Sequence, residues 1–139
     1  MALTATEFEG GCLCGAVRYR LTASNAVVDY CHCAMCRRWS GAPVSAWAQV
    51  PVNQFHLTTG EAAAFASSEH CRRHFCARCG TSLYMSDDAS RSIGLMLGTL
   101  DNPEALVPAA HGWQSQQLSW LALADNLPHW AEAPPYDED

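Results

Sequence analysis

Cysteine is the residue type in this sequence with the clearest capacity for chemistry. The 139 residues include eight cysteines, and most stand within two or three positions of another. The first residues lack the basic and long apolar stretches of a secretory signal, so we expect a cytoplasmic location, where disulfides do not persist. Clustered thiols then indicate metal ligands. The clusters are Cys12 with Cys14, Cys31 with Cys33 and Cys36, and Cys76 with Cys79, while Cys71 stands apart.

The first and third clusters resemble each other, because in each a pair of cysteines is followed at once by a glycine, Gly15 or Gly80. Glycine tolerates positive φ, which lets backbone N–H groups turn toward the sulfurs. Four thiolates close a tetrahedral zinc site, and zinc binding is worth roughly 10–16 kcal/mol in small peptides. A whole domain is stable by only about 5–15 kcal/mol. The predicted ligands of this structural zinc are Cys12, Cys14, Cys76 and Cys79.

The middle cluster offers three thiolates and no evident fourth ligand. On an extended segment Cys31 and Cys33 point to one side, and a turn through the next two residues brings Cys36 back to them. Three protein ligands and a vacant position are the pattern of a catalytic zinc. The sequence therefore predicts Cys31, Cys33 and Cys36 as the catalytic centre.

Three alternatives compete with this interpretation of the cysteines. The trio could be completed by Cys71 or a histidine, which would make both zinc sites structural. The cysteines could form a disulfide scaffold, although no export signal supports one. Cys76 and Cys79 could be a redox pair, although the βαβ context of such a motif is missing. Among the histidines only His32 stands out, as a group that supports the open metal from behind.

Composition excludes several classes of protein. The formal net charge is −6, and all eight basic residues are arginine, so a duplex nucleic-acid binder is not expected. No apolar run reaches the roughly 18 residues of a membrane-spanning helix. Leu, Ile, Val and Phe together make up only 25 of the 139 residues, which is a thin supply for a core. We expect something besides apolar burial to hold this fold.

The hydrophobic patterning is mostly that of β-structure, with no linker and no strong repeat. We predict one domain over residues 8–130 and a frayed, acidic, proline-rich tail over 131–139. The segments 36–40 and 118–124 are predicted as short helices, and 62–67 as either a strand or a helix. The predicted strands are 16–22, 27–30, 43–50, 55–57, 81–86 and 92–98.

Three motifs in this order carry a family resemblance. Gly11-Cys12-Leu13-Cys14-Gly15 is followed by Cys31-His32-Cys33-Ala34-Met35-Cys36-Arg37-Arg38, and then by Arg73-His74-Phe75-Cys76-Ala77-Arg78-Cys79-Gly80. The chain resembles the glutathione-dependent formaldehyde-activating enzymes, a family that includes the centromere protein V-like domains. The resemblance extends over about residues 10–130.

The resemblance implies a mainly β, Mss4-like fold of several small, coiled antiparallel sheets stapled by zinc. It implies two zinc ions per chain, with the structural and catalytic ligand sets given above. The implied activity is that of a carbon–sulfur lyase, whose partners are a thiol such as glutathione and a small aldehyde, with neither nucleic acid nor membrane involved. The alternative is a non-catalytic zinc-binding module for protein interaction, with an exposed patch around Trp39 or Trp47.

Three thiolates and one zinc leave a site with a formal charge of −1, and a substrate thiolate would make it more negative. Nearby cations must then balance it. Arg37 and Arg38 follow Cys36 directly and are the predicted substrate-binding residues, either balancing the metal or holding a substrate carboxylate.

Overall fold

The computed structural model describes residues 7–23 and 26–135. It is mainly β, as predicted, and the described part of the chain contains one α-helix. The elements are β1 (Glu7–Gly11), β2 (Arg18–Thr22), β3 (Val27–Cys31), α1 (Ala34–Ser40), β4 (Ser45–Pro51), β5 (Phe55–Thr59), β6 (Ala63–Ala66), β7 (Cys71–Phe75), β8 (Ser82–Asp87), β9 (Ser92–Met96) and β10 (His111–Gly112).

The strands form two sheets of unequal size. β1, β2 and β5 make a three-stranded antiparallel sheet. The other seven lie in the order β10-β3-β4-β9-β8-β7-β6, and all their pairings are antiparallel except that of β10 with β3. The seven-stranded sheet is larger than the several small sheets that the family resemblance implies.

The two faces of the large sheet differ in chemistry because successive side chains on a strand alternate. On one face Ala48 pairs with Leu95 and Val50 with Ile93, and all four side chains are buried in the core. The small sheet covers this face, with Tyr19 and Leu21 fully buried. The other face presents polar and sulfur-bearing side chains, and it forms the wall of a cavity.

The helix prediction for 118–124 was wrong. These residues form a turn and irregular structure, and their side chains alternate between partly buried and exposed. Seven residues are too few for a helix that buries no apolar face, and Trp120 remains 69% exposed. The ambiguous segment 62–67 contains strand β6, and the predicted helix at Cys36 begins two residues earlier, at Ala34.

The tail also differs from the prediction in its described part. Glu132 and Ala131 accept backbone hydrogen bonds from Trp113 and Ser115, at 2.9 and 3.2 Å. Pro134 is buried against Gly112. The chain is therefore held as far as residue 134, while residues 136–139 lie outside the described part. The boundaries of the domain stay a prediction.

No helix of the described residues has the length and apolar character that crossing a bilayer requires.

A glycine, Gly10, lets β1 of the small sheet pack closely against the turn that follows β9. A Cβ atom on Gly10 would lie 2.4 Å from the backbone oxygen of Thr99, inside any allowed contact, and equally close to the Tyr19 hydroxyl. We therefore expect Gly10→Ala to lower the free energy of unfolding by about 2 kcal/mol or more, because backbone must move to admit the methyl group. Urea unfolding measures this. Gly98→Ala is the control, since its Cβ would meet nothing within 4 Å, and equal stability of the two variants would contradict the packing described.

Candidate metal centre

The sulfurs of the first and third cysteine clusters meet, although more than 60 residues separate them in the chain. Cys12 Sγ lies 3.6 Å from Cys14 Sγ, which lies 3.8 Å from Cys76 Sγ. The four sulfurs, with that of Cys79, are all within 4.8 Å of one another, and none forms a disulfide. A tetrahedron of Zn–S bonds has sulfur–sulfur edges of about 3.8 Å. The four thiols therefore fit a zinc ion.

Two matching turns position these sulfurs. Gly15 and Gly80 both have a φ of 81°, a value that residues with a side chain rarely adopt. Their N–H groups donate hydrogen bonds to the carbonyls of Cys12 and Cys76, at 3.1 and 2.8 Å. The N–H of Val17 donates to Cys12 Sγ at 3.2 Å. The pairing of cysteines with a following glycine, seen in the sequence, is thus a repeated structural unit.

The second group of sulfurs lies where β3 ends and α1 begins. Cys31 is the last residue of β3, and Cys33 caps the helix by accepting a hydrogen bond from the N–H of Cys36 at 3.3 Å. Cys31 Sγ and Cys36 Sγ are 3.6 Å apart, and the three sulfurs all lie within 4.8 Å of one another. This separation also matches a zinc tetrahedron, so the trio fits three ligands of one ion.

No fourth protein ligand joins this trio among residues 7–23 and 26–135. Cys71, one of the residues considered for the role, instead lies 3.5 Å from an Asp87 carboxylate oxygen. His32 is completely buried, and its Nε2 lies 2.9 Å from His111 Nδ1. A bound metal would therefore keep an open position, as in catalytic zinc sites.

The three thiols do not ionise alike. Hydrogen bonds from the side chains of Cys31 and Cys36 hold the pKa of Cys33 far below its ordinary value. The pKa of Cys31 is raised, because its thiol is the donor in such bonds and is also buried. Hydrogen bonding within the trio thus favours the thiolate at Cys33, and thiolates are the form that binds zinc.

Arg73, on β7, provides the cation nearest to the trio. Its two terminal nitrogens lie 3.8 and 3.7 Å from Cys36 Sγ. The guanidinium carbon lies 5.3 Å from the ring centre of Trp39 and 5.9 Å from that of Trp47, so both indoles hold it by cation–π contact. Arg73 is only 4% exposed. Charge compensation therefore comes from a strand distant in sequence.

The predicted pair Arg37 and Arg38 lies elsewhere. Arg37 donates to the backbone oxygens of His32 and Gln116, at 3.3 and 2.6 Å, and so fastens the helix to a later segment. Arg38 is exposed. Neither lines the cavity beside the trio, whereas Arg73 does. Their substrate-binding role stays a prediction.

A cavity of about 660 Å³ opens beside the trio on the polar face of the large sheet. It is large enough for a peptide-sized thiol. Gly94 and Trp47 both line this cavity. Because Gly94 has no side chain, the Trp47 ring can lie close to its backbone, where a Cβ would come within 3.1 Å of the ring. The lining includes Cys31, Cys33, Cys36, Arg73, Trp47 and Trp113. Trp47 is only 3% exposed, so it does not contribute to the exposed patch that the non-catalytic alternative places around Trp39 or Trp47.

A chain of hydrogen bonds runs through two buried histidines, His32 and His111, and the sequence analysis does not predict it. Asp125 is within 2.9 Å of His111 Nε2, and His111 Nδ1 is within 2.9 Å of His32 Nε2. A carboxylate only accepts, so His111 donates to it and accepts from His32. Burial lowers the pKa of His32, which keeps its ring neutral. No local spacing in the sequence signals this network, because His111 lies 79 residues from His32.

The four-cysteine group should control folding. We expect Cys76→Ser to lose one zinc per chain and to destabilise the protein by several kcal/mol, because Cys76 is buried and its sulfur helps join the two sheets. Zinc analysis and thermal unfolding of the reduced protein measure both effects. Cys71→Ser is the matched control and should keep the wild-type zinc content, and an equal loss in the two variants would contradict this assignment.

Arg73 should control metal affinity at the trio. Its guanidinium lies against Cys36 Sγ, so its removal leaves the negative charge of three zinc-bound thiolates without the positive charge that balances it. We expect Arg73→Ala to weaken zinc binding at the trio by about tenfold. Competition with a chromophoric chelator measures this. Arg72→Ala, which removes an exposed arginine paired with Asp88, should bind like wild type, and an unchanged affinity in Arg73→Ala would refute the charge argument.

Similar proteins are known by sequence and by structure. An uncharacterized lyase of Schizosaccharomyces pombe is 35% identical over 82 residues, which cover 58% of each chain. A protein of Halomonas elongata with the name "Putative glutathione-dependent formaldehyde-activating enzyme" is 31% identical over 87 residues, covering 57% of this chain and 55% of that protein. The chain thus matches little more than half the length of these two relatives.

The fold is that of a crystal structure of a Rhodobacter sphaeroides protein, with a TM-score of 0.59 at 20% identity. The superposition covers 88% of this chain and 98% of the other. The family model of the glutathione-dependent formaldehyde-activating enzymes matches residues 7–116, which include both cysteine groups. The chain therefore belongs to the glutathione-dependent formaldehyde-activating enzyme family.

Proposed function

We propose that this protein is a zinc-dependent carbon–sulfur lyase that joins a thiol to a small aldehyde and catalyses the reverse cleavage. Glutathione and formaldehyde are the substrates that the family name suggests. The observation that carries the proposal is the trio of Cys31, Cys33 and Cys36, which has three sulfurs, no fourth protein ligand among the described residues, and a cavity at its side.

In this proposal the chain binds two zinc ions with different roles. The ion at the four-cysteine group is structural, since all four of its positions are filled by protein sulfur. The ion at the trio is catalytic. When bound there, zinc supplies an open Lewis-acidic position that can hold a thiolate or polarise a carbonyl oxygen.

The reaction forms one bond between sulfur and carbon. The thiol sulfur attacks the aldehyde carbon, the C=O π bond becomes a C–O single bond, and the thiol proton ends on that oxygen. The product is a hydroxymethyl thioether, and cleavage reverses each change. The chain must therefore stabilise a thiolate and bring it to the carbonyl carbon, which is a task of charge and position.

Charge is supplied by Arg73. Its guanidinium lies against Cys36 Sγ and is held by two indole rings. It is therefore already in place to balance the negative charge that a substrate thiolate adds. Position is supplied by the cavity, whose floor of Trp47 and Gly94 is fixed by the pairing of β4 with β9. Arg73 is itself almost completely buried, and a lower local dielectric strengthens the attraction between its guanidinium and the sulfur charge.

Exchange NMR with formaldehyde and glutathione tests the function. The zinc-loaded protein should accelerate hydroxymethyl exchange above the spontaneous rate, and Cys36→Ser should reduce the rate to that of buffer, because the trio then lacks a ligand. Cys71→Ser should keep the wild-type rate, since Cys71 is not part of either group. Wild-type protein that retains both zinc ions and gives only the buffer rate would refute this substrate pair and favour the non-catalytic module.

A further inference from the structure

The segment that follows β9 is held by few apolar contacts. Between residues 101 and 135 only His111, Gly112 and Pro134 are buried, and the only strand is the two-residue β10. Ordering the backbone costs about 1–2 kcal/mol per residue, which this burial does not offset. Hydrogen bonds such as that of the Tyr30 N–H with the Ala110 oxygen, at 2.9 Å, hold the segment to the rest of the fold, and a further interaction would strengthen this attachment.

One cluster of side chains stands at the point where the two ends of this segment meet. The N–H of His111 donates to the carbonyl of Pro128 at 2.9 Å, and the N–H of Trp130 donates to the carbonyl of His111 at 2.8 Å. This bridge places the rings of His111 and His129 side by side, with centres 4.3 Å apart. Trp113, two residues on, has a φ of 56°, a conformation that persists only where the surroundings hold it.

Asp125 adds a carboxylate to the two imidazoles. One of its oxygens accepts from the N–H of Leu127 at 3.1 Å, which fixes the turn, and the other lies 2.9 Å from His111 Nε2. One ligand atom from each of His111, Asp125 and His129 lies within 4.8 Å of the others. Two imidazoles and a carboxylate are a donor set used for zinc and for other divalent transition metals.

His111 has the support that a metal ligand needs. Its second nitrogen, Nδ1, lies 2.9 Å from His32 Nε2, and its ring stacks on Tyr30 with centres 4.8 Å apart. Hydrogen bonding of the distal nitrogen is the usual way in which a ligating imidazole is oriented. His129 is exposed and Asp125 partly so, which leaves an entry path for an ion.

Metal binding requires two small adjustments. The ring planes of His111 and His129 are only 5° apart, so the nitrogen lone pairs of the two rings do not point at a common position. The exposed His129 ring must therefore rotate to bind an ion that lies in the plane of the His111 ring. The ion would take the place of the proton on His111 Nε2. That proton is then carried on Nδ1 and donated to His32, whose own proton moves to its other nitrogen.

We propose that His111, Asp125 and His129 form a metal site of their own, separate from both cysteine groups, for a divalent ion such as zinc. The ion fastens residues 125–129 to His111 of β10, and through β10 to β3, which carries Cys31. The same segment contributes Trp113, Gln116 and Ala133 to the wall of the cavity. Occupancy of the site therefore orders one side of the proposed substrate cavity, whatever the substrate is.

Equilibrium dialysis of the full chain, already loaded with zinc at its cysteines, tests this proposal with added zinc as the probe. Wild type should bind one further equivalent, and His129→Ala and Asp125→Asn should each weaken that binding at least tenfold. His56→Ala is the matched control, because His56 is an exposed histidine on β5, outside the cluster. This variant should bind the further equivalent of zinc as tightly as wild type does.

Two further readouts separate this site from unspecific binding. The added zinc should raise the melting temperature of wild type but not that of His129→Ala. In nitrogen-15 NMR the resonance of His111 Nε2 should change from that of a protonated nitrogen to that of a metal-bound one. No further equivalent, or one that binds His129→Ala as tightly as wild type, would overturn the proposal. Neither result concerns the cysteine sites, whose zinc is counted separately before the titration.

Discussion

The contact among four cysteine sulfurs is the constraint on which the rest of the structure depends. Cys12 and Cys14 lie between β1 and β2 of the small sheet, and Cys76 and Cys79 lie between β7 and β8 of the large one. Their convergence therefore joins the two sheets at one end of a core that is short of large aliphatic side chains. With the sheets fixed, the polar face of the large sheet is left to form the cavity.

The second group of sulfurs uses that polar face. Cys31 ends a strand, Cys33 caps the only α-helix of the described residues, and Cys36 lies on its buried side, so one short stretch supplies all three sulfurs. The arginine that balances them comes from β7, three strands away in the sheet from β4. The proposed catalysis thus needs both the local spacing of the trio and the long-range pairing that brings Arg73 to Cys36.

The contrast between local spacing and long-range strand pairing explains how much of the site the sequence could predict. The ligand groups were predictable because their spacing is local, and Gly15 and Gly80 mark the two turns directly. Most strands were predictable because Ala48, Val50, Ile93 and Leu95 alternate with polar or small residues. Arg73 and His111 were not, because their partners lie 37 and 79 residues away and are set by sheet order. Arg37 was instead predicted to bind substrate because it directly follows Cys36, but its side chain donates hydrogen bonds to backbone oxygens.

X-ray absorption spectroscopy at the zinc edge tests the central claim most directly. In protein with about two zinc ions per chain, we predict an average of about 3.5 sulfur ligands per zinc, with the remainder oxygen or nitrogen. Saturating glutathione should raise the average to about four, as a thiolate enters the open position. An average of four before any thiol is added, or no change after it, would contradict an open three-cysteine zinc site.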